Sequence, residues 1–140
     1  MALEQTVVLL KPDTVRRKLI GEILRRIEQK NFKILGMKFI QWDRQIAENF
    51  YCIHKGKSFY EELIEFITSG PIVALCLEGE NAIHQIRKMM GATNPMDSAP
   101  GTIRGDFTLE HQYNLIHGSD SIESVSRELP IVFREEELIK

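Results

Sequence analysis

Two short, unbroken apolar runs constrain this chain more than any other feature. "VVLL" at Val7–Leu10 and "IVALCL" at Ile72–Leu77 lack the polar alternation of a half-exposed strand. They are also far shorter than the roughly 20 apolar residues needed to cross a bilayer. Runs of this kind read as central strands covered on both sides, so helices must lie on both faces of whatever sheet they form.

The rest of the chain supplies those helices. Val15, Leu19, Ile20, Ile23, Leu24 and Ile27 recur on one face at helical spacing after a first strand at Gln5–Lys11. Phe32–Trp42 reads as a long second strand, and Ile46, Phe50 and Ile53 as a short helix. Ser58–Gly70 is expected to be helical, with Ser58 and Glu61 as a capping box, a Phe59/Leu63/Phe66/Ile67 stripe, and Gly70 closing it. After the second apolar run, Asn81 should cap a helix through Met90. A Gly/Pro-rich stretch covers Gly91–Phe107, and a loop of that length inside a compact domain is often functional or interfacial. "QYNLIH" reads as the last strand. Asp120 with Glu123 then caps a final helix, which Pro130 is expected to stop. The order βα–β–αα–β–α–β fits an α+β, ferredoxin-like split βαβ fold better than a doubly wound sheet. A four-stranded antiparallel sheet with helices on its faces is expected, as one domain over residues 1–140.

Composition narrows the function. With 140 residues, 43% hydrophobic and 27% charged, the chain is ordinary for a soluble globular domain. A net charge of −2 argues against a general nucleic-acid or membrane binder without excluding a local basic pocket. The two cysteines, Cys52 and Cys76, both sit in apolar surroundings and read as buried free thiols of a reducing compartment. No export signal or membrane-length segment is present, so the expected location is cytoplasmic.

Two decoys fall away on spacing. "HKGKS" contains Gly-Lys-Ser, but a P-loop needs a glycine where Tyr51 stands, and a strand leading in. His54, His84, His111 and His117 never pair at metal-ligand intervals, and the first three read as surface or capping residues. Ser119 is not in a G-x-S-x-G elbow.

His117 is different, because "NLIHGSDS" delivers its ring to a sharp strand-to-helix corner. Gly118 removes bulk beside it, and Ser119 with the helix start offers donors to an anion. Glu128, on the flank of the last helix, is placed to return toward that corner. A carboxylate on one ring nitrogen fixes the tautomer and frees the other lone pair to attack. Arg87, Thr93 and Arg104 supply cations and a hydroxyl, as phosphoryl transfer demands. Arg104 reads as a loop residue whose loss would spare the fold. Lys11 is a further donor, and Phe59 a stacking surface for a base or else a core residue.

At these residues the sequence closely resembles nucleoside diphosphate kinases. "LLKPD", "SGPIVAL", "GATNP", "PGTIRGDF" and "NLIHGSDS" match the family's blocks in order, from Thr6 to about Leu138. The resemblance implies ping-pong transfer of a γ-phosphate from a nucleoside triphosphate, usually ATP, to a nucleoside diphosphate through phosphorylated His117. By similarity Glu128 and Ser119 orient the ring, with Tyr51 close to it. Arg87, Thr93 and Arg104 hold phosphates, Lys11 and Asn114 bind the ribose hydroxyls and the transferring phosphate region, and Phe59 stacks on the base without reading its edge. Mg2+ comes in on the nucleotide phosphates. The resemblance also implies a homo-oligomer, a hexamer or a tetramer, with the hexamer favoured. The chain departs from the family at Thr14, where glycine is usual, at Tyr60, and at Pro130, which threatens the helix turn that must hold Glu128. Ending at Lys140, it resembles a bacterial-length form. The competing readings are a catalytically silent homologue acting in assembly or nucleic-acid binding, and an RNA-recognition module. The first would lack a site residue, and the second needs a basic-aromatic strand that is absent.

Overall fold

The computed structural model describes residues 3–110 and 113–139, so the expectation for His111 lies outside the described residues. Both apolar runs are strands. β1 (Leu3–Leu10) and β3 (Ile72–Glu80) pair antiparallel from Leu3 opposite Glu80 to Leu10 opposite Val73. β2 (Lys33–Ile40) flanks β3 and β4 (Ile116–Gly118) flanks β1, giving the order β2-β3-β1-β4 with antiparallel neighbours throughout. β1 and β2 therefore run the same way with β3 inserted between them, which is the split βαβ plan.

The period-two geometry of a strand explains the unbroken apolar runs. Val7, Leu9, Ile72, Ala74 and Cys76 enter one core, together with Phe50, Ile64, Ile67 and Val132. These belong to α3 (Arg44–Phe50), α4 (Tyr60–Ile67) and α7 (Ile122–Val132). Val8, Leu10, Val73, Leu75 and Leu77 enter the other core with Ile23, Ile27, Ile86 and Met90. Those come from α2 (Ile20–Gln29) and α5 (Ala82–Met90). The first helical pattern is split: α1 (Pro12–Arg16) ends before Lys18, whose φ of 61° breaks the path into α2.

Several local expectations are corrected. α4 begins at Tyr60 after Phe59, with no side-chain cap from Ser58, and Thr68 rather than Gly70 follows it. Asn81 precedes α5 with φ 51°, so it serves by its left-handed backbone and not by a side-chain cap bond. The Gly/Pro stretch is largely structured: Asn94 caps a 3-10 turn at Pro95–Asp97, and Thr102 caps α6 (Ile103–Phe107). The last strand starts at Ile116, later than expected, and Gln112 lies outside the described residues. The cap of α7 is Ser121, whose Oγ accepts from the Ser124 N–H at 3.1 Å, while Asp120 accepts from the Ser124 hydroxyl. Pro130 does not stop α7, which runs on to Val132. A proline this near the C-terminal end removes one helical hydrogen bond, and Phe133 N–H still bonds Leu129 O at 2.9 Å. Cys76 is buried but Cys52 is exposed, both as free thiols.

Denaturant unfolding tests the corrected caps. Ser121→Ala should destabilise by about 1 kcal/mol. Ser58→Ala should stay within about 0.5 kcal/mol.

Candidate active site

His117 pairs with Leu9 across the β4–β1 ladder, so its ring points to the face that carries α3, α4 and α7. Its side chain is 20% exposed. The ring meets Phe50 at 5.1 Å and Tyr51 at 6.0 Å between centroids, both edge-on. Nε2 donates to Glu128 Oε1 at 3.1 Å. The same oxygen accepts from Ser119 Oγ at 2.7 Å, and Glu128 Oε2 accepts from Arg127 Nη2 at 3.2 Å. With Nε2 committed to the carboxylate, Nδ1 is the nitrogen left to carry the free lone pair. Burial holds the imidazole below its ordinary 6.5, with the Glu128 carboxylate pulling the other way. The ring is therefore neutral at pH 7.

Gly118 acts differently from the sequence expectation. It sits opposite Val8, on the other face of the sheet, where an added Cβ would stand 2.6 Å from Met90 Sδ. Its lack of a side chain lets α5 approach the sheet instead of clearing space beside the ring. That approach brings Arg87 close enough for Nη1 to donate to Gly118 O at 3.2 Å.

A cavity of about 460 Å³ opens beside the His117 ring. It is lined by Lys11, Tyr51, Phe59, Arg87, Thr93, Arg104, Asn114, His117 and Glu128, so these residues named from the sequence line one space. Lys11 follows β1, is buried, and donates from Nζ to Asn114 Oδ1 at 2.8 Å. Burial and the nearby Arg104 push its ammonium down to about 8. Arg104 is pushed down to about 10 by burial and by Arg87. Asp13 opposes both shifts, yet the cations still repel one another across the cavity. An anion entering there is attracted by all of them. Phe59 is 45% exposed at the cavity mouth and stands 5.3 Å from the His54 ring, which settles it as a rim residue and not a core one. Thr93 lies on the exposed rim, where its carbonyl accepts from Asn114 Nδ2 at 3.3 Å. The Tyr51 hydroxyl is buried without a hydrogen-bond partner among the described residues, and burial raises its pKa, so it stays a donor. Ser119 is buried beneath the ring and does not line the cavity. Among the described residues no three His, Cys, Asp or Glu side chains form a metal-holding group.

The family model for nucleoside diphosphate kinase matches residues 4–138. The chain belongs to the nucleoside diphosphate kinase family. It is 56% identical over 135 residues to a nucleoside diphosphate kinase of Methanocaldococcus jannaschii, covering 96% of each chain. It is 52% identical over 139 residues to that of Sulfurisphaera tokodaii, covering 99% of this chain and 95% of the relative. The structure of a halophilic nucleoside diphosphate kinase from Halobacterium salinarum in complex with CDP superposes with a TM-score of 0.96 at 45% identity, covering 99% of this chain and 93% of that one. The Aquifex aeolicus nucleoside diphosphate kinase superposes equally well, with a TM-score of 0.96 at 38% identity, covering 99% of this chain and 100% of that one.

In this member of the nucleoside diphosphate kinase family, Arg104 is not the loop residue it resembled. It is 4% exposed, and its guanidinium donates to the carbonyls of Asn114, Gly91 and Ile116 at 3.2, 3.3 and 2.6 Å. It braces the cavity wall as well as charging it. Other residues lining or supporting the cavity escaped sequence reasoning. Arg127 and Asp120 flank the histidine corner, and His54 stacks beside Tyr51 at 6.1 Å. Asp13 accepts from Leu115 N–H at 3.1 Å. Arg127 and Asp120 carried a readable signal, being charged neighbours of Glu128 and Ser119. Asp13 carried none, because its partner is more than a hundred positions away.

Two measurements follow. NMR titration of the His117 ring should give a pKa below 6.5, and Glu128→Gln should lower it further by removing the charge that favours imidazolium. Arg104→Ala should destabilise by about 3 kcal/mol in denaturant unfolding, since it leaves three backbone carbonyls unpaired.

Proposed function

We propose that this protein is a nucleoside-diphosphate kinase acting by a ping-pong mechanism through His117, with the whole chain serving as one domain. The observation that carries this is a neutral imidazole, held by one nitrogen, at the wall of a cavity whose cations repel one another. In the first half-reaction the Nδ1 lone pair attacks the γ-phosphorus of a nucleoside triphosphate. The Nδ1–P bond forms as the bond from phosphorus to the β-bridging oxygen breaks, and the electron pair leaves on the diphosphate. In the second half-reaction a terminal oxygen of an incoming nucleoside diphosphate attacks the same phosphorus, and the electrons return to Nδ1. Glu128 and Ser119 orient the ring and stabilise its positive charge when phosphorylated. Lys11, Arg87, Thr93 and Arg104 hold the phosphates, and the Tyr51 hydroxyl donates beside the ring. Asn114, joined to Lys11, reaches the ribose region. Phe59 stacks on the base without reading its edge, which gives broad base tolerance.

Mg2+ fits this site as a companion of the nucleotide. Of the carboxylates lining the cavity, Glu128 is engaged by His117, Ser119 and Arg127, so Glu62 and the second oxygen of Asp120 would be the ones to face the ion. When bound, the ion neutralises charge on the leaving diphosphate. Homo-oligomerisation is also inferred, with a hexamer favoured over a tetramer. Met37 and Phe39, 56% and 66% exposed on the edge strand β2, support self-association. Among the described residues no helix is long and apolar enough to cross a membrane, and we place the protein in the cytoplasm.

Incubation with γ-labelled ATP and no acceptor should leave an acid-labile, base-stable phosphate on the protein. His117→Ala should abolish it, and full labelling of that variant would refute the assignment. The free-enzyme kcat/KM should also be bell-shaped in pH. It falls on the acid side as the His117 lone pair is protonated, below the ordinary 6.5. It falls on the alkaline side near pH 8 as Lys11 loses its charge, a limb that Lys11→Gln should remove.

A further inference from the structure

We infer that Thr14 is a positioning residue for the phosphotransfer step, its hydroxyl holding the strained Leu115 turn that aims Asn114 and His117 into the cavity. Leu115 has φ 72°, and Ile116 N–H donates to Asn114 O at 2.8 Å across it. A turn closed over three residues with a positive central φ is the strained form, and a bulky side chain there persists only when its surroundings impose it. Leu115 is fully buried in the core beneath α5, so its side chain anchors the turn from one side. From the other side the segment after β1 clamps its backbone. Leu115 O accepts from Lys11 N–H at 2.8 Å and from Thr14 Oγ1 at 2.6 Å, and Leu115 N–H donates to Asp13 Oδ2 at 3.1 Å.

The consequence for chemistry is geometric. Residues on either side of the turn are both in the site: Asn114 meets Lys11 Nζ, and His117 meets Glu128. The β1–β4 ladder fixes His117 beside Leu9, so relaxing Leu115 toward ordinary φ would rotate the preceding peptide and draw Asn114 away from Lys11 Nζ and the nucleophile. Thr14 itself is fully buried and does not line the cavity, so it touches no substrate. This inference deepens the phosphotransferase assignment and rests on it.

The test compares Thr14→Val with Thr14→Ser by steady-state kinetics and by hydrogen–deuterium exchange of the segment 113–118. Thr14→Val should lower kcat about tenfold with KM changed less than about twofold, because geometry is lost and not nucleotide contact. The amides of Leu115 and Ile116 should exchange about fivefold faster. Thr14→Ser should restore both. If Thr14→Val does not fold, Thr14→Ala takes its place in the comparison. Unchanged kcat with unchanged exchange, or a loss that serine does not recover, would overturn the inference. Lack of turnover in the unaltered protein would instead count against the phosphotransferase assignment, while exchange still decides whether Thr14 holds the turn.

Discussion

Everything at this site depends on one buried carboxylate. Glu128 is 3% exposed, and an ionised group that deep is tolerated only when its oxygens are satisfied. They are satisfied by three donors from different parts of the fold: the His117 ring from β4, the Ser119 hydroxyl from the corner, and the neighbouring Arg127 guanidinium. The carboxylate thus ties the end of the sheet to α7. Its position depends in turn on how α7 starts, through the Ser121 cap and the Asp120–Ser124 contact, and on how Val132 at the far end of the helix enters the core.

The cations present the opposite problem. Arg104 lowers the proton affinity of Lys11, and Arg87 lowers that of Arg104. Asp13 opposes two of them from below, yet one of its own oxygens is buried without a hydrogen-bond partner among the described residues. A cavity designed for stability alone would pair these charges. Leaving them partly unopposed keeps the space ready for a polyanion, at a cost that the two hydrophobic cores absorb.

Much of this was readable in the chain. The unbroken apolar runs required a covered central sheet, and period-two burial of Val7–Leu10 is the reason. The histidine corner, Glu128 and the arginines were found by asking which side chains phosphate chemistry needs. The misses share a cause: each depends on contacts that no local pattern encodes. Ser58 matches a capping box, but tertiary packing starts α4 two residues later. Pro130 looked like a helix stop because propensity treats the interior and the last turn alike. Gly118 looked like a clearance for substrate because its true neighbour, Met90, is distant in sequence. Arg104 looked like a loop arginine because the carbonyls it binds belong to two other segments, at Gly91 and at Asn114–Ile116.

The unequal fate of the two cysteines has a practical side. Cys76 lies within the sheet, where burial pushes its thiol up to about 11, whereas Cys52 stands in the open, next in the chain to Tyr51. A maleimide dye would therefore react at Cys52 alone while the fold is intact. Carried on the short turn that also presents His54, such a dye would sit beside the Phe59 rim of the cavity, and its emission would report in real time when the cleft fills and empties.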